Sequence, residues 1–202
     1  MAQSTQHEDA LIRRAVQGDA VAFDRLVEQY SPRVYALAYR MIGSAEDAQD
    51  IAQEAFVRVY HALPRYKGEA AFSTWLYRIV TNVCYDELKR RKRRPATFSE
   101  MESDEGEARI DTLPGGGESP EDAALRRERQ RTVQQAITTL PEHFRAVLVL
   151  YDLQGFSYQE IADILRQNVG TVKSRLNRAR NLLREKLLEC RELFPVDASP
   201  TN

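Results

Sequence analysis

Long apolar runs are missing from this sequence of 202 residues, and with them any helix able to cross a bilayer, which takes roughly 18 to 20 apolar residues in succession. The opening stretch MAQSTQHEDALIRR has no apolar core of the kind a secretory signal carries, so the chain reads as cytoplasmic, with no membrane insertion of its own. Cysteine is scarce. Cys84 and Cys190 are far apart and neither belongs to a CxxC pair, which argues against a disulfide or a thiolate metal site. His7, His61 and His143 are equally scattered, without a ligand or nucleophile at a recognisable spacing, so zinc chemistry and a catalytic triad are unsupported. The reading therefore expects no catalytic residue, no metal and no cofactor, and places the chain outside the enzymes. Strand-like alternation and internal repeats are lacking too.

What is present is helical periodicity, interrupted once. Helices are predicted near Glu8 to Gly18, Ala20 to Ile42, Ala45 to Leu63 and Thr74 to Arg93, with Pro32 kinking or dividing the second. After Arg94-Pro95 the apolar pattern lapses, and Pro114 with Gly115 to Gly117 marks a linker. Helix signals resume at Ser119-Pro120-Glu121-Asp122, with an N-cap, a proline at the first position and acids at the positive helix end. Further helices are predicted near Pro120 to Thr139, Pro141 to Leu153, Tyr158 to Leu165 and Val169 to Leu193. The fold class is all-α: two small helical domains, 1–95 and 119–202, joined by a flexible acidic linker, 96–118.

The formal net charge of -1 conceals strong segregation. Lys89 to Arg94 reads KRRKRR, and the last helix carries Lys173, Arg175, Arg178, Arg180, Arg184 and Lys186. Between them lies an acidic tract from Glu100 to Asp122, offset only by Arg109.

Ser157 to Arg180, SYQEIADILRQNVGTVKSRLNRAR, predicts a helix, a tight turn and a second, basic helix. Ser157 and Glu160 match a capping box, Ile161, Ala162 and Leu165 form an apolar stripe, and Asn168 is a natural N-cap for the next helix. On that helix Val172, Leu176, Ala179 and Leu183 are the packing side. Ser174, Asn177 and Arg178 project the other way, with Lys173 and Arg180 on one flank. This is the pattern of a helix-turn-helix that docks in the major groove of duplex DNA.

A second face lies on the helix before the linker. Leu76, Ile79, Val80 and Val83 give a buried stripe, and Trp75, Arg78, Asn82, Tyr85 and Lys89 gather opposite it. Rings beside cations suit single-stranded DNA, whose unstacked bases lie on aromatic planes while cations hold the backbone. Pro64 to Phe72, just upstream, is a loop fit to wall a pocket for a flipped base. A third face is acidic: the helix from Ala45 buries Ala48, Ile51, Ala52, Ala55 and Val59 and lines up Asp47, Asp50 and Glu54 elsewhere. By charge alone this row is a solvated face.

These features, in this order, resemble the extracytoplasmic-function sigma factors of bacterial RNA polymerase. The markers are DAQDIAQEAFVRVY at Asp47 to Tyr60, FSTWLYRIVTNVCYDELKRRKRR at Phe72 to Arg94, and SYQEIADIL with VGTVKSRLNRAR further on. The resemblance implies that Asp47, Asp50, Gln53, Glu54 and Phe56 dock on core RNA polymerase, against the charge-only reading. It assigns Arg65, Lys67, Phe72, Trp75, Arg78, Asn82, Tyr85 and Lys89 to the melted -10 element. It assigns Ser157, Tyr158, Thr171, Lys173, Ser174, Arg175, Asn177 and Arg178 to the -35 duplex. It also implies an anti-sigma factor that sequesters the chain, and a linker threading toward the polymerase cleft. Asn168 stands where the family often has proline, and Asn177 occupies a position that varies widely, so promoter sequence does not transfer. The alternatives are a stand-alone helix-turn-helix regulator, which needs a dimer interface that no coiled-coil segment supplies, and a nucleic-acid enzyme, which needs a convergent carboxylate or metal cluster.

Overall fold

The computed structural model describes residues 2–93 and 119–190, and within them every regular element is helical. The first domain comprises α1 (Ala2–Val16), α2 (Ala20–Ile42), α3 (Ala45–Ala62), a 3-10 turn (Leu63–Arg65) and α4 (Phe72–Arg93). The second comprises α5 (Pro120–Thr139), α6 (Glu142–Leu148), a π-helical turn (Val149–Leu153), α7 (Tyr158–Leu165) and α8 (Val169–Glu189). The linker and the end of the predicted last helix fall outside the described residues.

Short polar side chains start the helices where the chain places them. Asp19, Ser44, Ser119 and Asn168 each accept a hydrogen bond from the backbone N–H three residues on, satisfying a donor that the helix leaves unpaired. Pro32 does not divide α2. The helix runs unbroken through it, while the neighbouring Ser31 hydroxyl donates to the carbonyl of Val27 at 2.7 Å. The predicted helix from Pro141 is also altered: α6 ends at Leu148, and the chain widens into the π turn, with Gln154 N–H reaching the carbonyl of Val149 at 3.0 Å.

α2 is the spine of the first domain, packed by α1, α3 and α4 around Leu26, Leu37, Met41, Leu76 and Val80, all fully buried. In the second domain Ile137, Leu150, Ile161, Val172 and Leu176 play that part. The two sets belong to one continuous buried cluster, because α4 packs on α7 and α2 packs on α5, α6 and the π turn. Gly43, the C-cap of α2 at φ 89°, fits this junction closely: a Cβ there would lie 2.8 Å from Thr138 Cγ2. Tyr77 packs edge-on against Phe156, ring centres 4.8 Å apart, and its hydroxyl donates to Gln154 Oε1 at 3.1 Å.

Burial pushes the Cys84 thiol and the Tyr77 and Tyr85 hydroxyls up to about 12. An unfolded chain releases the same protons from about pH 9 for the thiol and 10 for the phenols. The folded state therefore holds more protons in this window, and stability must fall as pH rises from 9 toward 12. Urea midpoints measured at stepped pH should decline from about pH 9 upward, and in a Cys84→Ala chain the decline should begin nearer pH 10. A flat profile to pH 11 would count against the buried protonated state.

Candidate nucleic-acid interface

The helix-turn-helix forms as its sequence predicts. Ser157 Oγ accepts from Glu160 N–H at 3.3 Å, and Glu160 Oε2 accepts from Ser157 N–H at 2.8 Å, completing the capping box of α7. Ser157 is therefore occupied in starting the helix. Asn168 Oδ1 accepts from the N–H of Thr171 at 2.7 Å and from its hydroxyl at 2.9 Å, opening α8. Val172, Leu176 and Ala179 turn inward, while Leu183 and Leu165 are only half-buried. Lys173, Ser174, Asn177 and Arg178 all stand exposed on the outer side of α8. Thr171 and Arg175 are half-buried, and Arg175 lies toward Tyr85 and His143.

Arg166, in the turn between the helices, is the one described non-glycine residue with positive φ, at 53°. A side chain in this left-handed conformation is strained by about 1 kcal/mol relative to glycine. Arg166→Gly should raise stability by about 0.5–1 kcal/mol in urea denaturation, and a loss of stability would mean that the guanidinium makes a compensating contact.

Tyr158 is half-buried and stacks on Tyr151, ring centres 4.8 Å apart and 12° from parallel. Lys173 Nζ lies 5.6 Å from the Tyr158 ring centre and Arg180 Cζ 5.2 Å from that of Tyr151. Asp152 holds Arg180 through both carboxylate oxygens, so Arg180 braces α8 against the π turn. Tyr151 and Asp152 escaped the sequence reading because only the π turn aligns them with α8.

On α4 the single predicted face separates into two rows. Trp75, Asn82 and Lys89, seven residues apart, face outward; Asn82 and Lys89 are exposed and Trp75 half-buried. Arg78 and Tyr85 form a second row that the second domain covers. Arg78 donates to the carbonyl of Asp163 through Nε and Nη2, at 3.1 and 2.8 Å, and Tyr85 lies near Glu142, Arg145 and Arg175. Phe72 is buried between the rings of Tyr30, Tyr66 and Trp75, so here it supports Trp75 from behind. Arg65 and Lys67 are exposed beside it. The basic run is partly committed internally: Arg90 and Arg91 pair with Glu87, and Lys92 Nζ lies 2.7 Å from Glu142 Oε1, close enough for an ion pair but not aligned as a hydrogen bond.

On α3 the acidic row also divides. Asp47 is bound internally to Arg91, whereas Asp50, Gln53 and Glu54 are exposed, Glu54 pairing with Arg58 at 2.8 Å. Phe56 is half-buried against the core. Val57 and Tyr60, about half exposed, continue this surface with apolar area that the charge pattern did not reveal. Among the described residues no cluster of acids, histidines or cysteines is arranged to hold a metal, and no helix is long and apolar enough to cross a membrane.

The model of Sigma-70 region 2 matches residues 26–94, and that of Sigma-70 region 4 matches residues 130–183. The chain is 42% identical over 188 residues to the RNA polymerase sigma-H factor of Pseudomonas aeruginosa, spanning 91% of this chain and 95% of that protein. The ECF sigma factor SigW of Bacillus subtilis is 40% identical over 176 residues, covering 87% of this chain and 94% of the relative. The chain belongs to the extracytoplasmic-function sigma factors of RNA polymerase. The solved structure of CnrH in complex with the cytosolic domain of CnrY matches 90% of this chain and 96% of that one, with a TM-score of 0.64 and 27% identity. The sigma factor RpoE with the anti-sigma factor NepR from Bartonella quintana shares the fold, with a TM-score of 0.61 at 22% identity, covering 82% of this chain and 96% of that chain.

The sigma factor is thus a transcription initiation factor that directs polymerase to promoters, and not a stand-alone regulator. Its region 2 match spans most of α2 with all of α3 and α4, and its region 4 match runs from within α5 to within α8. The domain with the acidic and aromatic faces and the domain with the helix-turn-helix therefore match separate regions of the family.

Proposed function

We propose that this sigma factor reads the -35 duplex with Lys173, Ser174, Asn177 and Arg178 of α8, captures the opened -10 strand on α4, and docks on core polymerase through Asp50, Gln53 and Glu54 of α3. The observation that carries the reading is the pair of outward-facing rows in one chain, one exposed on a capped second helix of a helix-turn-helix and one on α4 of a half-buried ring with an exposed amide and cation. Arg and Lys suit guanine edges and phosphates, Asn suits adenine, and a ring beside cations suits an unstacked base. Arg78 and Tyr85 join the strand-reading row only when the second domain moves off them, since α7 and its neighbours cover both. Boundaries at 1–95 and 119–202, a cytoplasmic location and sequestration by an anti-sigma protein complete the reading.

The test is reconstitution with core polymerase, sizing chromatography and transcription from a promoter library. Co-elution with promoter-selective transcripts supports the reading; tight duplex binding without polymerase would overturn it. Lys173→Ala should weaken binding to the selected promoter by about 1–3 kcal/mol and lower its salt dependence by about one released counterion, with core binding intact. An unchanged promoter profile would remove Lys173 from the reading face.

A further inference from the structure

The six residues Tyr66 to Ala71 form a hook at the entrance to α4. The N–H of Tyr66 closes the preceding 3-10 turn on the carbonyl of Leu63 at 3.0 Å. Its hydroxyl then reaches forward and donates to the carbonyl of Ala70 at 2.7 Å. Gly68, at φ 75° and with nothing within 4 Å of the Cβ it lacks, makes the reversal at the exposed tip. Lys67, Gly68 and Glu69 are exposed, while the Tyr66 ring turns inward, 5.0 Å from the centre of Trp75 and 5.7 Å from that of Phe72. One side chain therefore ties together the loop backbone, the outward indole and the ring behind it.

We infer that Tyr66 is a positioning residue for single-strand capture: its hydroxyl pins the loop so that Lys67 and the edge of Trp75 are held in place before the strand arrives. The inference rests on the strand-reading assignment of α4 and adds the element that organises it. Preorganisation is the physical reason. A loop of this length with a flexible glycine at its tip would otherwise lose conformational freedom on binding, and the cross-loop bond removes part of that loss in advance. Pinning by the hydroxyl does not require Tyr66 to touch DNA. The ring packs against Phe72 and Trp75 whether or not the hydroxyl is present, so the two contributions separate by substitution.

The experiment uses holoenzyme reconstituted with the full chain as wild type, Tyr66→Phe, Tyr66→Ala, Trp75→Ala and Asn82→Ala. The probes are a fork-junction DNA, duplex through -35 and single-stranded at -10, and a fully duplex -35 fragment, both from a promoter that wild-type holoenzyme selects. Tyr66→Phe keeps the rings and loses the bond. It should weaken fork-junction binding by up to about two- to tenfold, the worth of one neutral hydrogen bond, with duplex binding and polymerase co-elution unchanged and the melting temperature lowered by no more than a few degrees. Tyr66→Ala should weaken it further. If Tyr66→Phe binds the fork as wild type does while Trp75→Ala weakens it, the pinning role is wrong and the strand-reading assignment stands. If Trp75→Ala and Asn82→Ala also bind the fork normally, that assignment fails and takes the inference with it. Equal losses on both probes would mark Tyr66 as a general packing residue and overturn the inference.

Discussion

Replacing Arg145 by leucine should destabilise the folded chain by about 3–5 kcal/mol, measured by urea denaturation. Arg145 is 6% exposed, and its guanidinium donates to the carbonyls of Met41, Thr138 and Leu140. These carbonyls lie at the C-terminal ends of α2 and α5, where a helix has run out of its own N–H donors. A single cation thus closes two helix ends, one from each domain, and it favours them electrostatically as well. Leucine would restore apolar contact but leave three buried acceptors without the donors seen here. Arg145→Lys should recover only part of the loss, because one ammonium cannot span carbonyls on two helices as a planar fork does. A loss below about 1 kcal/mol for Arg145→Leu would show that water replaces the guanidinium freely.

Asp50→Lys should abolish co-elution with core polymerase, a weakening of at least about a hundredfold, while stability stays within about 0.5 kcal/mol. Asp50 is exposed on α3, so changing it disturbs no packing. Reversing its sign beside Gln53 and Glu54 sets like charge against any basic partner, a juxtaposition that costs several kcal/mol. The neighbouring Asp47 gives the contrast. It is tied to Arg91, and Asp47→Ala should cost stability before it costs binding. Fluorescence titration of labelled chain with core enzyme measures the first effect and thermal melting the second. Unchanged polymerase affinity in Asp50→Lys would exclude this surface from docking.

Much of the fold was legible because its signals are local. Asn168 caps α8 through atoms three residues away, and Ser157 with Glu160 closes a box of the same reach, so spacing alone predicts both. The apolar stripe of α8 was readable for the same reason. The site was legible only as faces. Nothing local says that Arg78 meets the carbonyl of Asp163, 85 positions later, or that Arg91 meets Asp47, and these contacts decide which members of a predicted row face solvent. The resemblance assigns Phe72 to the -10 element as the end of its loop, and nothing local distinguishes a reader from its support; the Tyr30, Tyr66 and Trp75 rings around it do. Pro32 predicted a kink or a division, and the division does not occur: packing along the buried face of α2 outweighs the one hydrogen bond that proline removes.

On the strand-reading assignment, the bond from Arg78 to Asp163 sets two ligands against each other at one edge of a guanidinium. Its Nε proton and one Nη2 proton are committed to a carbonyl of the second domain, so that edge is closed to a phosphate of an opened strand while the bond stands. On the strand-reading assignment, the affinity of the first domain for DNA and its affinity for the second are then reciprocally linked. The factor by which a formed contact between the domains weakens strand binding equals the factor by which a strand held by α4 weakens the contact. On that assignment the packing between the two halves is a thermodynamic variable of promoter opening, set by residues that need never touch a base.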